Sequence, residues 1–146
     1  MSRKKLVRFA QNEANPNVIQ AGKPLFETIK GNWHEVQFQN QQPLVVELAC
    51  GRGEFTVGLG REYRDQNFIG VDIKGSRIWK GSSTATAEGL TNVAFLRTQI
   101  QNLEEFFGAG EISELWITFP DPFPRDGDEK RRLTSSRFLD MYKPMI

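Results

Sequence analysis

Apolar positions along this chain change period several times, and each change predicts an element. From Pro43 the run Leu44-Val45-Val46-Glu47-Leu48-Ala49 is short and nearly all apolar, the pattern of a strand covered on both faces. Cys50-Gly51-Arg52-Gly53 interrupts it, and Phe55, Leu59 and Tyr63 then recur at helical spacing over 54–63, with Gly58 and Gly60 weakening that helix. Asn67-Phe68-Ile69-Gly70-Val71-Asp72 predicts a second strand closing on an acid, and 76–88 a helix stopped by Gly89. A third strand follows at 92–97, a short helix at 103–107 and a fourth strand at 113–119. Alternate prolines in Pro120-Asp121-Pro122-Phe123-Pro124 forbid ladder bonding and predict an extended loop. A last helix starts near Thr134 or Ser135 and carries Phe138, Leu139 and Tyr142. By contrast, 1–42 is polar and rich in Asn, Gln and Gly, and predicts an extended arm with one short helix between Pro24 and Gly31.

Strands alternating with helices imply β-α-β units. The expected fold is therefore α/β: a Rossmann-like, doubly wound, mostly parallel sheet with helices on both faces, occupying 43–146 behind the arm. Ligands of such sheets lie beyond the carboxyl ends of the strands, which selects the loops after Ala49, Asp72, Arg97 and Phe119. A chain of 146 residues with 38% hydrophobic and 25% charged residues suits one ordinary globular core. The net charge of +1 says little, but its distribution is uneven. Arg3, Lys4, Lys5 and Arg8 crowd one end, and Arg125, Lys130, Arg131, Arg132 and Arg137 the other. Local contacts to an anionic partner or simply solvated ends both fit that pattern. Cys50 and His34 are the only residues of their kinds, which argues against a disulfide framework or a Cys/His metal cluster. With no apolar run of membrane-spanning length and no apolar stretch of the signal-peptide kind near Met1, the expected setting is the reducing cytoplasm, without metal or membrane.

The first loop carries the most chemistry. A Gly-x-Gly pair between strand and helix allows a sharp turn and close approach of a ligand. The dinucleotide fingerprint wants a third glycine where this chain has Thr56, and no Gly-Lys-Ser/Thr is present, so NAD, FAD and a phosphate-cradling loop are disfavoured. Glu47, just before the turn, would repel a pyrophosphate but suits an ammonium group. Asp72, roughly twenty residues beyond the glycines, stands where an acid accepts ribose hydroxyls. Alone it could be a simple strand-end acid. With Glu47 and the glycines it points to a nucleoside with a cationic tail and no phosphate, which describes S-adenosylmethionine.

Glu47-Leu48-Ala49-Cys50-Gly51-Arg52-Gly53, Phe68-Ile69-Gly70-Val71-Asp72, and above all Phe119-Pro120-Asp121-Pro122 followed by Lys130-Arg131-Arg132-Leu133-Thr134, resemble the bacterial tRNA (guanine-N7-)-methyltransferases. The resemblance implies S-adenosylmethionine as cofactor, held by Glu47, Gly51, Gly53 and Asp72, with Gln99 where the family has a third acid. It implies methylation of N7 of a guanine in the variable loop of tRNA, with Asp121 as the catalytic acid; Phe123, two residues on, offers a stacking surface for the base. Substrate contacts fall on Asp121, Arg125, Lys130, Arg131 and Arg132, although Asp126, Gly127 and Asp128 stand where the family is mostly basic. A monomer or homodimer is expected. The family's later Thr-Asp and Thr-x-x-Glu elements have no counterpart before Ile146, so a sheet incomplete at its C-terminus, weak cofactor binding and poor turnover are expected. The rival readings are a methyltransferase with another acceptor, a non-catalytic RNA-binding relative and, disfavoured by Thr56 and Glu47, an NAD-dependent oxidoreductase.

Overall fold

All the strands expected over 44–118 are present, and they run parallel. The computed structural model of the chain describes residues 2–118 and 125–146. The strands are β1 (Val18–Ile19), β2 (Leu44–Leu48), β3 (Asn67–Asp72), β4 (Val93–Arg97) and β5 (Glu114–Ile117), joined in one sheet of order β1-β4-β3-β2-β5. The helices are α1 (Arg3–Ala14), α2 (Pro24–Thr28), α3 (Glu54–Glu62), α4 (Gly75–Ala87) and α5 (Ser136–Tyr142), with a π-helical turn at Trp33–Phe38. The helix expected over 103–107 is instead a 3-10 turn, Ile100–Glu105. From β2 the chain winds outward through β3 and β4, then returns to place β5 on the other side of β2. The order therefore reverses between β2 and β5, and the crevice beyond their carboxyl ends is where such sheets bind ligands.

Side-chain alternation sorts the core into two layers. Leu44, Val46, Leu48, Ile69, Val71, Ala94 and Leu96 face one way and pack with Trp33, Leu103, Phe107, Phe138 and Tyr142. Trp33 is fully buried, donates from its indole nitrogen to the Phe106 carbonyl at 2.8 Å, and stacks on Phe107 at 5.2 Å. Val45, Phe68 and Phe95 face the other way, against Val57 of α3 and Ile78 and Ala85 of α4. Helices thus cover both faces. No helix among the described residues is long and apolar enough to cross a membrane.

The N-terminal segment is more ordered than its composition predicts. Where an extended arm with one short helix is expected over 1–42, the chain forms the twelve-residue α1, the strand β1 and the short α2. Ser2 caps α1 by accepting from the Lys5 amide. Asn12, the one buried residue of α1, donates to the Gly75 carbonyl at 2.8 Å, and Asn15 donates to Thr86 at 2.8 Å. Val18 and Ile19 then pair with Phe95 and Leu96 and extend the sheet. Lys23 fastens the joint: its ammonium donates to the carbonyls of Asn12, Asn15 and Val18 at 2.6, 2.9 and 2.7 Å. Two of these are orphan carbonyls at the helix C-terminus, where a cation is also favoured by the macrodipole.

Packing of α4 on β4 depends on a missing side chain. A Cβ at Gly81 would stand 2.5 Å from the Phe95 ring, whereas one at Gly58 in α3 would meet nothing within 4 Å. Gly81→Ala is expected to destabilise the chain by about 1–3 kcal/mol through overpacking. Gly58→Ala should stabilise it by about 0.5–1 kcal/mol through helix propensity. Urea unfolding of the two variants beside the unsubstituted chain measures both signs.

Candidate functional site

The bend after β2 is built from left-handed residues. Ala49, Gly51 and Gly53 have φ of 56°, 59° and 77°. Gly53 caps α3, and a Cβ there would lie 2.7 Å from the Phe95 ring, so the helix can approach the sheet only over glycine. A Cβ on Gly51 would meet nothing within 4 Å. There the requirement is conformational, and the surface beside the bend stays open to a ligand.

Asp72, the last residue of β3, ties this bend to its own loop. One carboxylate oxygen accepts from the Gly51 amide at 2.9 Å and the other from the Lys74 amide at 3.0 Å. With two backbone donors holding it, the carboxylate is fixed in direction and keeps lone pairs for hydroxyl donors. It borders a cavity of about 310 Å³ together with Ala49, Ile73, Arg77, Thr98, Gln99 and Arg131. A second cavity of about 360 Å³ adjoins it, sharing Ile73, Thr98 and Gln99. Gln99, in the loop after β4 at the start of the 3-10 turn, is exposed and accepts from the Gln101 side chain at 2.9 Å.

Glu47 takes a different position. It lies on β2 toward α3, is only 4% exposed, and does not line the cavity that Asp72 borders. One of its oxygens accepts from the Thr56 hydroxyl at 2.7 Å, and the other accepts from the Thr118 hydroxyl. Burial raises its pKa, the two threonine hydroxyls oppose that rise, and the Asp72 charge adds to it. No Lys or Arg pairs with it among the described residues. An ionised carboxylate held by neutral donors is a buried charge without a counter-charge, and a ligand cation is the group that would complete it. Cys50 beside it is no nucleophile: burial, then the Asp72 and Glu47 carboxylates, push its thiol well above the usual range.

The basic segment meets the same rim. Arg131 ends the 3-10 turn Asp126–Arg131 and Leu133 follows it; both border the Asp72 cavity, with Phe138 of α5 beside them. Arg131 pairs with Asp128 at 3.5 Å, and Arg132 donates to the Arg125 carbonyl at 3.2 Å. Arg125 is exposed. Asp121 and Phe123 lie outside the described residues, as does the side chain of Lys130. Sequence reasoning missed the two threonines. The signal for Thr56 was present, because it occupies the position where a dinucleotide fold needs glycine. Nothing in the local pattern singles out Thr118, whose role depends on β5 lying beside β2.

A parallel sheet with reversed strand order, a glycine bend and acids on the neighbouring strands β2 and β3 defines an α/β domain of the methyltransferase type. The chain belongs to the family described as putative methyltransferases, whose model matches residues 41–146. It is 50% identical over 146 residues to a tRNA (guanine-N(7)-)-methyltransferase of Cytophaga hutchinsonii, a match covering 100% of this chain and 66% of that protein. A protein of the same name from Christiangramia forsetii is 51% identical over 150 residues, covering 99% of this chain and 66% of its own length. The resemblance read from the motifs is thus borne out, and the chain spans about two thirds of the relatives it matches. The crystal structure of the antibiotic-resistance methyltransferase Kmr superposes with a TM-score of 0.60 at 22% identity, over 77% of this chain and 57% of Kmr, and so shares the fold.

The raised pKa of Glu47 has a thermodynamic sign. Folding favours its protonated form, so this site contributes most to stability at low pH, and that contribution falls as pH rises through the raised pKa. Glu47→Gln removes the ionisation while a carboxamide can still engage both hydroxyls. The melting temperature of Glu47→Gln should exceed that of the unsubstituted chain at neutral pH by a few degrees, and the gap should close toward the ordinary carboxylate range. Thermal unfolding across that interval measures it; a gap that widened in acid would overturn the account of Glu47.

Proposed function

We propose that this chain carries the S-adenosylmethionine site of an enzyme that methylates N7 of guanine in tRNA. The observation that carries the reading is the pair of buried acids at the glycine bend. Asp72 is aimed by two backbone amides, and Glu47 is held by two hydroxyls, with no Lys or Arg paired to it among the described residues. Asp72 would accept the ribose hydroxyls beside the open face of Gly51, with Gly53 letting the bend close under them. Glu47 would compensate the cationic methionine tail. Gln99 would accept from the adenine amino group without charge assistance. The cofactor supplies an electrophilic methyl group on a sulfonium. The names of the two bacterial relatives support the acceptor.

The chemistry asks little of the protein. Guanine N7 has an in-plane lone pair and no proton, so the N–C bond forms as the C–S bond breaks, the bonding pair stays on sulfur, and no general base is needed. Positive charge grows on the purine. A carboxylate placed beside it stabilises that charge and orients the base by accepting its N–H groups; Asp121 is assigned this role by resemblance. Arg125, Lys130, Arg131 and Arg132 would contact phosphates, setting register rather than reading sequence.

Two measurements test this. Asp72→Ala should weaken S-adenosylmethionine binding in a calorimetric titration by about 2 kcal/mol, roughly thirtyfold, the scale of hydrogen bonds to a charged acceptor. In the full-length enzyme, labelled methyl should pass to unmodified tRNA, and aniline scission after borohydride reduction should map it to a guanine N7. Absence of cofactor binding by the unsubstituted chain, or methyl found on protein or on another base position, would sink the proposal.

A further inference from the structure

Helix α1 and the cofactor cavity share one rim of the molecule. Asn12 meets Gly75 at the start of α4, just past the end of β3, whereas Asn15 meets Thr86 near the far end of α4. Phe9 lies 5.9 Å from the guanidinium of Arg97, the last residue of β4. Followed from its C-terminus to its N-terminus, α1 therefore climbs across α4 toward the side where β3 and β4 end. Lys5, Arg8, Asn12 and Asn15 follow one stripe of the chain at spacings of three and four. The later part of that stripe is docked on α4. Its earlier part, Lys5 with neighbouring Lys4, continues about 6 Å beyond Arg8 at roughly 1.5 Å per residue.

Arg8 lies at the join, stacked 4.3 Å over the Trp79 ring. Arg97 donates to the Ile73 carbonyl at 2.9 Å and borders the cavity adjoining Asp72. A line of cations thus runs from Lys4 and Lys5 through Arg8 to Arg97 at the cavity mouth, and Arg77 and Arg131 stand around the neighbouring opening. Among the described residues none of Arg3, Lys4, Lys5, Arg8, Arg77 or Arg97 is in an ion pair. The first turn of α1 contains no acid, so its cations sit at the positive end of the helix dipole and the fold does not relieve them.

We propose that the N-terminal half of α1, with Arg97, is a docking ridge for the phosphate backbone of an RNA whose target base enters the cavity mouth. This rests on the reading of the site as a tRNA methyltransferase and extends it to a second bank of cations, apart from the 125–132 segment. Charge complementarity selects the occupant: a polyanion can follow the cations along the helix and across the mouth. The exposed apolar pair Leu6 and Val7 lies off that stripe of α1 and would serve an anionic membrane surface instead.

The experiment uses the whole chain, an unmodified tRNA transcript as probe, and fluorescence anisotropy over a range of salt. Lys4→Gln with Lys5→Gln keeps helix propensity and should lower affinity about tenfold. It should reduce the slope of log affinity against log salt by about 2, one for each phosphate no longer neutralised. S-adenosylmethionine affinity should be unchanged, and Leu6→Ser with Val7→Ser should leave tRNA affinity unaltered. An unchanged affinity and slope in the lysine variant, with tRNA still bound, overturns the ridge and leaves the active-site reading standing. Binding to phosphatidylserine vesicles that depends on Leu6 and Val7, while tRNA binding is insensitive to either pair, also overturns the ridge alone. A chain that holds the cofactor but ignores tRNA overturns the ridge, while methyl transfer by the full-length enzyme decides the active-site reading separately.

Discussion

The junction of β2, α3 and the segment after β5 is arranged around a carboxylate kept out of water. Glu47 sits on β2, between β3 and β5, and a lone ionised acid there would be strongly disfavoured. Thr56 on α3 and Thr118 after β5 supply its donors, so the three elements that meet at the switch in strand order are joined through one side chain. Their geometry cannot vary independently. If α3 slid along the sheet it would strip a hydrogen bond from a buried charge, a costlier event than losing the same bond between neutral groups.

The glycine bend is the second half of that arrangement. A bend tight enough to bring α3 onto β2 leaves amides pointing outward, and Asp72 takes one of them while its own loop supplies the other. The acid is thereby aimed before any ligand arrives, which is the preorganisation that a binding site on rigid elements provides. Phe95 occupies the space behind, against positions 53 and 81, so packing in the core and the shape of the bend are one requirement.

How far the sequence discloses this depends on what each element buries. β2, β3 and β4 are covered on both faces and read as apolar runs. The two acids are legible because each ends or interrupts such a run beside a glycine. α1 is hidden because it docks through polar contacts: only Asn12 is buried, so no apolar stripe marks the helix. β1 is two residues long and pairs with a strand more than seventy positions away, beyond the reach of any local pattern. Gln99 falls where its loop position predicts, on the wall of the cavity. Arg131 was expected as an RNA contact, and its place on the lip of the same cavity follows only from the packing of α5 and the turn before it.

Lys23 shows how much can hang on a single atom. Three carbonyls from α1, its following loop and β1 converge on its nitrogen, and only a protonated amine has a hydrogen for each. A planar guanidinium spreads its donors in a fork and could not address three converging oxygens. Burial already lowers the lysine's pKa, with Glu13 opposing. Loss of that proton in alkali therefore loosens the latch, and the slack falls on the joint between the leading helix and the sheet edge rather than on the sheet itself.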